Sequence, residues 1–235
     1  MAIWRAMGHP KENNSHGPRQ AKITELAGAY AAALLSGDEI AAEVTIREAM
    51  DARLSTAEID ELLIAPALWL VGELWERGEI SVADEHIATE ISVRVLTLQR
   101  EAQRVAESRG RRRILLATPV GELHLVALRM TGNLLRGAGY DVVMLGADVP
   151  APALATAARR HRADIICLSV TMPHGADHVL GVIDDVRLEW PAARFVLGGR
   201  GLPLQGPLRS EVYVCGRVSE AVDAVDAVMQ RAGLN

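Results

Sequence analysis

The sequence predicts two domains of different class, a four-helix bundle followed by a doubly wound α/β domain. Between about residue 20 and residue 108, helical periodicity runs through four segments with hardly a strand signal. From residue 113 onward, short apolar runs alternate with helical patterns, which is how a parallel sheet covered on both faces is written. A chain of 235 residues with 49% hydrophobic and 23% charged side chains has the length and composition for two folded cores.

Residues 1–19 contain Asn13-Asn14-Ser15 and Gly17-Pro18 and read as a polar, disordered arm, with His9 and His16 in solvent. The helical domain, 20–108, breaks at Ser36-Gly37-Asp38, at Leu54-Ser55-Thr56 and at Gly78-Glu79-Ile80-Ser81. Asp38 and Ser55 are placed to cap the helices that follow, Ser55 with Glu58 as a capping box. Connections this short make antiparallel neighbours.

The cluster Arg109 with Arg111-Arg112-Arg113 reads as a solvated hinge opening the second domain, 109–235. Strands are expected at 113–118, 141–145, 164–169 and 194–197, with a short fifth near 211–214. Helices are expected at about 123–137, 151–162, 175–189 and 218–231.

Composition narrows the function classes. No apolar run reaches the roughly 20 residues of a membrane span, and the start, MAIWRAMGHPKENN, has no apolar signal-peptide core, so a cytoplasmic location is expected. Cys167 and Cys215 are too few for a disulfide framework and are expected to be reduced. A formal charge of −5 gives no footprint for nucleic acid. Gly198-Gly199-Arg200-Gly201 follows a strand, but no GxGxxG or Walker A sequence is present, and Pro203 works against a helix opening there. NAD and ATP are poor candidates.

The most informative stretch is Thr118-Pro119-Val120-Gly121-Glu122-Leu123-His124, which follows the first strand of the second domain. In open α/β sheets ligands bind beyond the carboxyl ends of the strands, so His124 stands at the ligand edge. A neutral imidazole is the commonest metal ligand, and a carboxylate such as Glu122 can fix its tautomer. Taken alone, the pair also fits an ordinary loop histidine near a helix start.

With Glu-x-His after the first strand, Ser169-Val170-Thr171 after the third and Gly198-Gly199 after the fourth, the second domain resembles the Rossmann-like (flavodoxin-like) cobalamin-binding domain of methionine synthase, corrinoid methyl carriers and cobalamin photoreceptors. The resemblance implies that His124 is the lower axial ligand of cobalt. It also implies that Ser169 and Thr171 bond the displaced nucleotide tail and that Gly198 and Gly199 let that tail pass close to the backbone. The family pattern is DxHxxG; here its first position is Glu122, as in the photoreceptor branch, and its last is Ala127, which adds a methyl.

In the helical domain, Trp75, nine intervening residues and Glu85-His86 form a Wx9EH pattern that resembles CarH-type photoreceptors, whose bundle covers the upper face of adenosylcobalamin. By that resemblance Trp75 packs over the adenosyl group, with Glu85 and His86 beside it. The plain alternative is that Trp75 packs in the bundle core with Trp69 and that Glu85-His86 is a solvated helix start. Some CarH-type members carry a histidine directly after the Trp that captures cobalt after photolysis; here that position is Glu76, and whether His86 replaces it is left open.

Residues 1–19 are too few for the winged helix of CarH-type repressors, so a free-standing sensor is expected, and a photocobilin, a related sensor that adds a linear tetrapyrrole such as biliverdin, is the type the resemblance implies. The expectation is a light-driven signalling switch and not an enzyme, with light-dependent homo-oligomers, a protein partner, and neither nucleic acid nor membrane. A corrinoid methyl carrier is the competing reading, and an interaction module without cofactor a third. His174 and His178, four apart, could share a helix face and ligate zinc, but no third ligand is identifiable, and contact with a bound tetrapyrrole is as plausible as exposure; His161 reads as surface.

Overall fold

The structure, a computed structural model, describes residues 17–103, 112–172, 175–202, 206–209 and 212–233. Its contacts divide the chain into two compact units, one ending at Ala102 and the other beginning at Gln103. The arm up to residue 16, most of the expected hinge, and His174 lie outside the described residues.

The first unit is all helical, as the sequence predicts: α1 Pro18–Ser36, α2 Glu39–Asp51, a continuous rod of α3 Thr56–Ile59, a π-helical segment Asp60–Ile64 and α4 Ala65–Glu76, and then α5 Val82–Ala102. Gly37, in the left-handed region at φ 67°, ends α1, its N–H and that of Asp38 donating to Leu34 and Ala33 carbonyls. Asp38 then caps α2, accepting from the Ala41 N–H at 2.9 Å, and Ser55 and Glu58 form the expected capping box. The π segment has a local cause in Pro66, which has no N–H to donate and whose ring would meet the carbonyl four residues back. The chain widens just before it, and the Ala65 N–H reaches back to the Asp60 carbonyl. Leu26, Tyr30, Ile46, Ile59, Leu63 and Val95 are fully buried in this unit. Their spacing along each helix is what draws the faces together.

The second unit is a six-stranded sheet in the order β2-β1-β3-β4-β6-β5, built from β1 Arg113–Pro119, β2 Asp141–Val149, β3 Ile165–Ser169, β4 Phe195–Gly198, β5 Gly206–Arg209 and β6 Val212–Cys215. The helices α6 Val126–Gly137, α7 Ala151–His161, α8 Gly175–Glu189 and α9 Ala221–Arg231 complete it. All pairings are parallel except β5 with β6. The antiparallel edge strand is absent from the sequence-based expectation because Gly206 and Pro207 break any apolar strand pattern. Alternation along the strands feeds two cores. Leu115, Ile166 and Phe195 meet α7 and α8 on one face, while Ile114, Ile165 and Val196 meet α6 and α9 on the other.

From β1 the chain moves outward to β2 and then crosses to β3 on the other side, so the strand order reverses between β1 and β3. That reversal opens the crevice where doubly wound sheets take ligands. One strand boundary differs with consequence: β2 runs four residues beyond its expected end at Leu145. Its pairing with β1 steps from Met144 opposite Leu116 to Gly146 opposite Ala117, then to Val149 opposite Pro119. Two extra residues are therefore bulged into the end of β2.

Candidate functional site

The loop after β1 begins as a tight turn in which the Glu122 N–H donates to the Pro119 carbonyl at 3.0 Å. Gly121 takes φ 82°, the left-handed backbone that the third position of a type II turn demands. This turn folds Glu122 inward, to 4% exposure, and sends the chain toward α6 with His124 at its mouth.

Glu122 is the hub of the site. Its Oε1 accepts the His124 N–H at 3.0 Å and lies 2.5 Å from His124 Nδ1, while its Oε2 accepts the Thr171 and Met172 N–H groups at 2.7 and 3.1 Å. Burial pushes its carboxyl up, but the hydrogen bonds from His124, Thr171 and Met172 outweigh this and hold it down at about 2. An ionised carboxylate only accepts, so the proton of the pair sits on Nδ1 and Nε2 is left with a lone pair of the kind a metal takes. The His124 side chain is 53% exposed, so the ring stands at the surface of the crevice while its orienting partner is buried.

Glu122 thereby ties the ends of β1 and β3 together, using the backbone at Thr171. Ser169 lies opposite Gly198 in the register of β3 and β4, and Val170 donates to the Gly198 carbonyl at 2.8 Å. Gly199, at φ 114°, passes so close to Val170 that a Cβ would stand 2.1 Å from its carbonyl oxygen. A Cβ on Gly201 would likewise stand 2.4 Å from the Met172 carbonyl oxygen. Close backbone packing is therefore what requires glycine at 199 and 201. At Gly198 the neighbour is the Cys215 sulfur, 3.2 Å from an added Cβ.

The Ser169 hydroxyl is buried and makes no hydrogen bond in the described structure. A buried hydroxyl without a partner is rare and points to a polar group the site is built to receive. An unsatisfied Ser169, an exposed imidazole with a fixed tautomer and a crevice at the strand reversal together fit a cobalt-bearing ligand with a polar tail. The site residues of the α/β unit, Glu122, His124, Ser169, Thr171, Gly198 and Gly199, all stand at the carboxyl ends of β1, β3 and β4.

In the helical unit, Trp75 lies in the last turn of α4 and Gly78, at φ 70°, ends the helix. Ser81 caps α5, its N–H donating to Asp84 Oδ2 at 2.8 Å, and places Glu85 and His86 in the first turns. Glu85 Oε2 lies 2.5 Å from His86 Nδ1, and Glu85 Oε1 accepts from the Thr89 hydroxyl at 2.9 Å. Trp75 is 48% exposed and Trp69 46%, so neither is a residue of the bundle core. The Trp75 ring presents a large apolar surface beyond what the unit itself buries.

Sequence reasoning assigned no role to Thr118 or Asp148, although both hold this loop. Thr118, fully buried, donates its hydroxyl to the Glu122 carbonyl and accepts the Asp148 N–H at 3.1 Å, and Asp148 Oδ1 accepts the Gly121 N–H at 2.8 Å. Gly146, which opens the bulge, was the only local signal for Asp148. Among the described residues no group of three His, Cys, Asp or Glu side chains forms a metal cluster, and no helix is long and apolar enough to cross a membrane. His178 is exposed, and both cysteines are buried free thiols.

Comparison with known proteins agrees with this geometry. Residues 112–228 match a family model described as B12 binding domain, and residues 26–98 match a second model of the same description. A corrinoid protein of Desulfitobacterium hafniense is 28% identical over 144 residues, 60% of this chain and 66% of that protein. The HTH-type transcriptional repressor CarH of Myxococcus xanthus is 32% identical over 164 residues, 68% of this chain and 50% of that protein. The chain thus spans between half and just under two thirds of these two relatives. The structure of the Methanosarcina barkeri monomethylamine corrinoid protein has the same fold, with a TM-score of 0.66 at 17% identity, covering 88% of this chain and 98% of that one. Between them the two matched regions take in most of the sequence, and each coincides with one compact unit, so the chain belongs to the family of B12-binding domain proteins.

Proposed function

We propose that this protein is an adenosylcobalamin-dependent light sensor, a signalling switch and not an enzyme, in which His124 is the lower axial ligand. The observation that carries the cobalt assignment is the Glu122–His124 pair, with Nδ1 committed to a buried carboxylate at 2.5 Å. Adenosylcobalamin, when bound, would supply a light-labile cobalt–carbon bond. The protein's own residues do the rest. Glu122 holds the Nδ1 proton and so keeps Nε2 basic. Ser169 offers its unpaired hydroxyl, and Thr171 its side chain, to the tail of the ligand beside Gly198 and Gly199. By the resemblance of its Wx9EH spacing, Trp75 would shield the upper ligand from water, with Glu85 and His86 as polar neighbours.

The exposed Trp75, with Glu85 and His86 at the Wx9EH spacing, supports the adenosyl form and the light-sensing reading over a carrier, as does similarity to CarH. An output through self-association or a protein partner follows if loss of the upper ligand changes the face that Trp75 occupies, since only a difference in contacts between two states moves an equilibrium. Biliverdin as a second chromophore rests on resemblance to photocobilins alone. The competing reading, a corrinoid methyl carrier for a methyltransferase, is favoured by the larger share of its own length over which the corrinoid protein matches, 66% against 50% for CarH.

The test is an absorbance spectrum of the chain reconstituted with adenosylcobalamin in the dark and after green light, beside His124→Ala. A base-off, His-on spectrum that converts irreversibly on illumination and is altered in the variant is expected. Tight binding without unusual photoconversion would favour the methyl carrier, and no cobalamin binding would overturn both readings.

A further inference from the structure

The β1 loop that presents His124 is held from the side by the bulged end of β2. Gly146, at φ 101°, opens the bulge, and two residues on Asp148 takes φ 56°, a backbone region that a non-glycine residue rarely enters. Asp148 makes three contacts from that conformation. Its N–H is shared between the Thr118 hydroxyl at 3.1 Å and the Glu122 carbonyl at 3.2 Å, and its Oδ1 accepts the Gly121 N–H at 2.8 Å. Thr118, in turn, donates to the same Glu122 carbonyl. Main-chain strain of this kind persists where surrounding bonds over-determine it, and such places cluster at functional sites.

We propose that Asp148 is a positioning residue for His124, clamping the Pro119–Glu122 turn so that the imidazole is delivered to cobalt in one orientation. The inference rests on the reading of His124 as axial ligand. The carboxylate grips the turn at Gly121, the one residue whose left-handed backbone fixes the direction in which Glu122 leaves it. The backbone N–H of Asp148 meanwhile fixes the carbonyl of Glu122, two residues before the ligand. Without the grip, the turn is free to tilt on Gly121, and the Glu122–His124 pair tilts with it. The extra residues in β2 set where Asp148 falls: the register of Arg113 with Asp141 would carry it opposite Val120, and the two bulged residues hold it back beside Thr118, where its N–H meets the Thr118 hydroxyl and its carboxylate meets the Gly121 N–H.

Two substitutions separate the acceptor from the strain. Asp148→Gly removes the carboxylate and relieves the left-handed backbone, so the variant folds. Asp148→Asn keeps an acceptor oxygen and tolerates the same backbone. Amide hydrogen exchange at Gly121 is measured in cofactor-free full-length protein. The ratio of His-on to His-off cobalamin is measured by absorbance in the dark at one fixed pH, beside wild type and His124→Ala. In Asp148→Gly, exchange at Gly121 is expected to quicken about tenfold and the His-on ratio to fall about tenfold, roughly the worth of one charge-assisted hydrogen bond. Asp148→Asn is expected to stay within about threefold of wild type on both, the amide oxygen keeping most of that bond. If Asp148→Gly matches wild type in either measurement, the positioning role is overturned. If wild type and His124→Ala give one spectrum, the ligand reading has failed instead, and exchange at Gly121 alone decides whether Asp148 is the clamp.

Discussion

At the scale of the residue, two glycines of the site show how space and backbone angle act separately. Gly121 and Gly199 both lie in the left-handed region, at φ 82° and 114°, but a Cβ on Gly121 would meet nothing within 4 Å while one on Gly199 would stand 2.1 Å from the Val170 carbonyl oxygen. Gly121→Ala is therefore expected to cost about 1 kcal/mol, the backbone penalty alone. Gly199→Ala adds a main-chain collision and is expected to cost about 3 kcal/mol or more. Urea unfolding of both variants checks this, and equal losses would mean that the contact with Val170 gives way cheaply. Glu122 makes the complementary point. A buried carboxylate is normally a liability, and here hydrogen bonds from the backbone of His124, Thr171 and Met172 and from the His124 ring keep it ionised. Those bonds join residues up to 50 positions apart. Glu-x-His was legible as a pair in the sequence, whereas the bonds to Thr171 and Met172 were not.

At the scale of the element, the continuous rod of α3, the π segment and α4 carries an unusual group. Asp60 opens the π segment fully buried, facing the equally buried amide of Gln99, and no well-formed hydrogen bond reaches its carboxylate among the described residues. Burial pushes the Asp60 carboxyl up to about 7, with the amide of Gln99 and the charge of Glu61 as smaller influences of opposite direction. The sign follows from linkage. The folded state keeps its proton up to about pH 7 while the unfolded chain gives it up near the ordinary 3.8 of an aspartate, so stability falls as pH rises between those values and is level above them. About 4 kcal/mol is at stake across that window, from roughly 1.4 kcal/mol per pH unit. Asp60→Asn has no proton to lose, so its stability relative to wild type should grow from pH 4 to pH 7. Unfolding free energies of the two proteins that run parallel across this range would sink the assignment. The helix boundaries were legible, because Asp38, Ser55 and Gly78 write their caps locally. The π segment was not read, although its cause, Pro66, stands in the sequence.

At the scale of the whole molecule, two compact units are each matched by a B12-binding family model, one with the imidazole site and the other with an exposed Trp75. A light sensor built this way must convert a photochemical event into a change of association. Sedimentation velocity of the adenosylcobalamin-loaded protein is expected to show different oligomeric states in the dark and after illumination. One species under both conditions, with cobalamin bound tightly, would favour the methyl-carrier reading.

What the sequence by itself determined is what short-range chemistry encodes. Helix caps and the change from helical period to alternating strands were enough to give the fold class, and the order of Glu122-x-His124, Ser169-x-Thr171 and Gly198-Gly199 gave the cofactor class through its resemblance to cobalamin-binding domains. Tertiary structure decided the rest. The antiparallel β5, the two residues bulged into β2, the grip of Asp148 on Gly121 and the packing of Gly199 on Val170 depend on which strands become neighbours. Pairing register is a property of two segments and is written in neither alone.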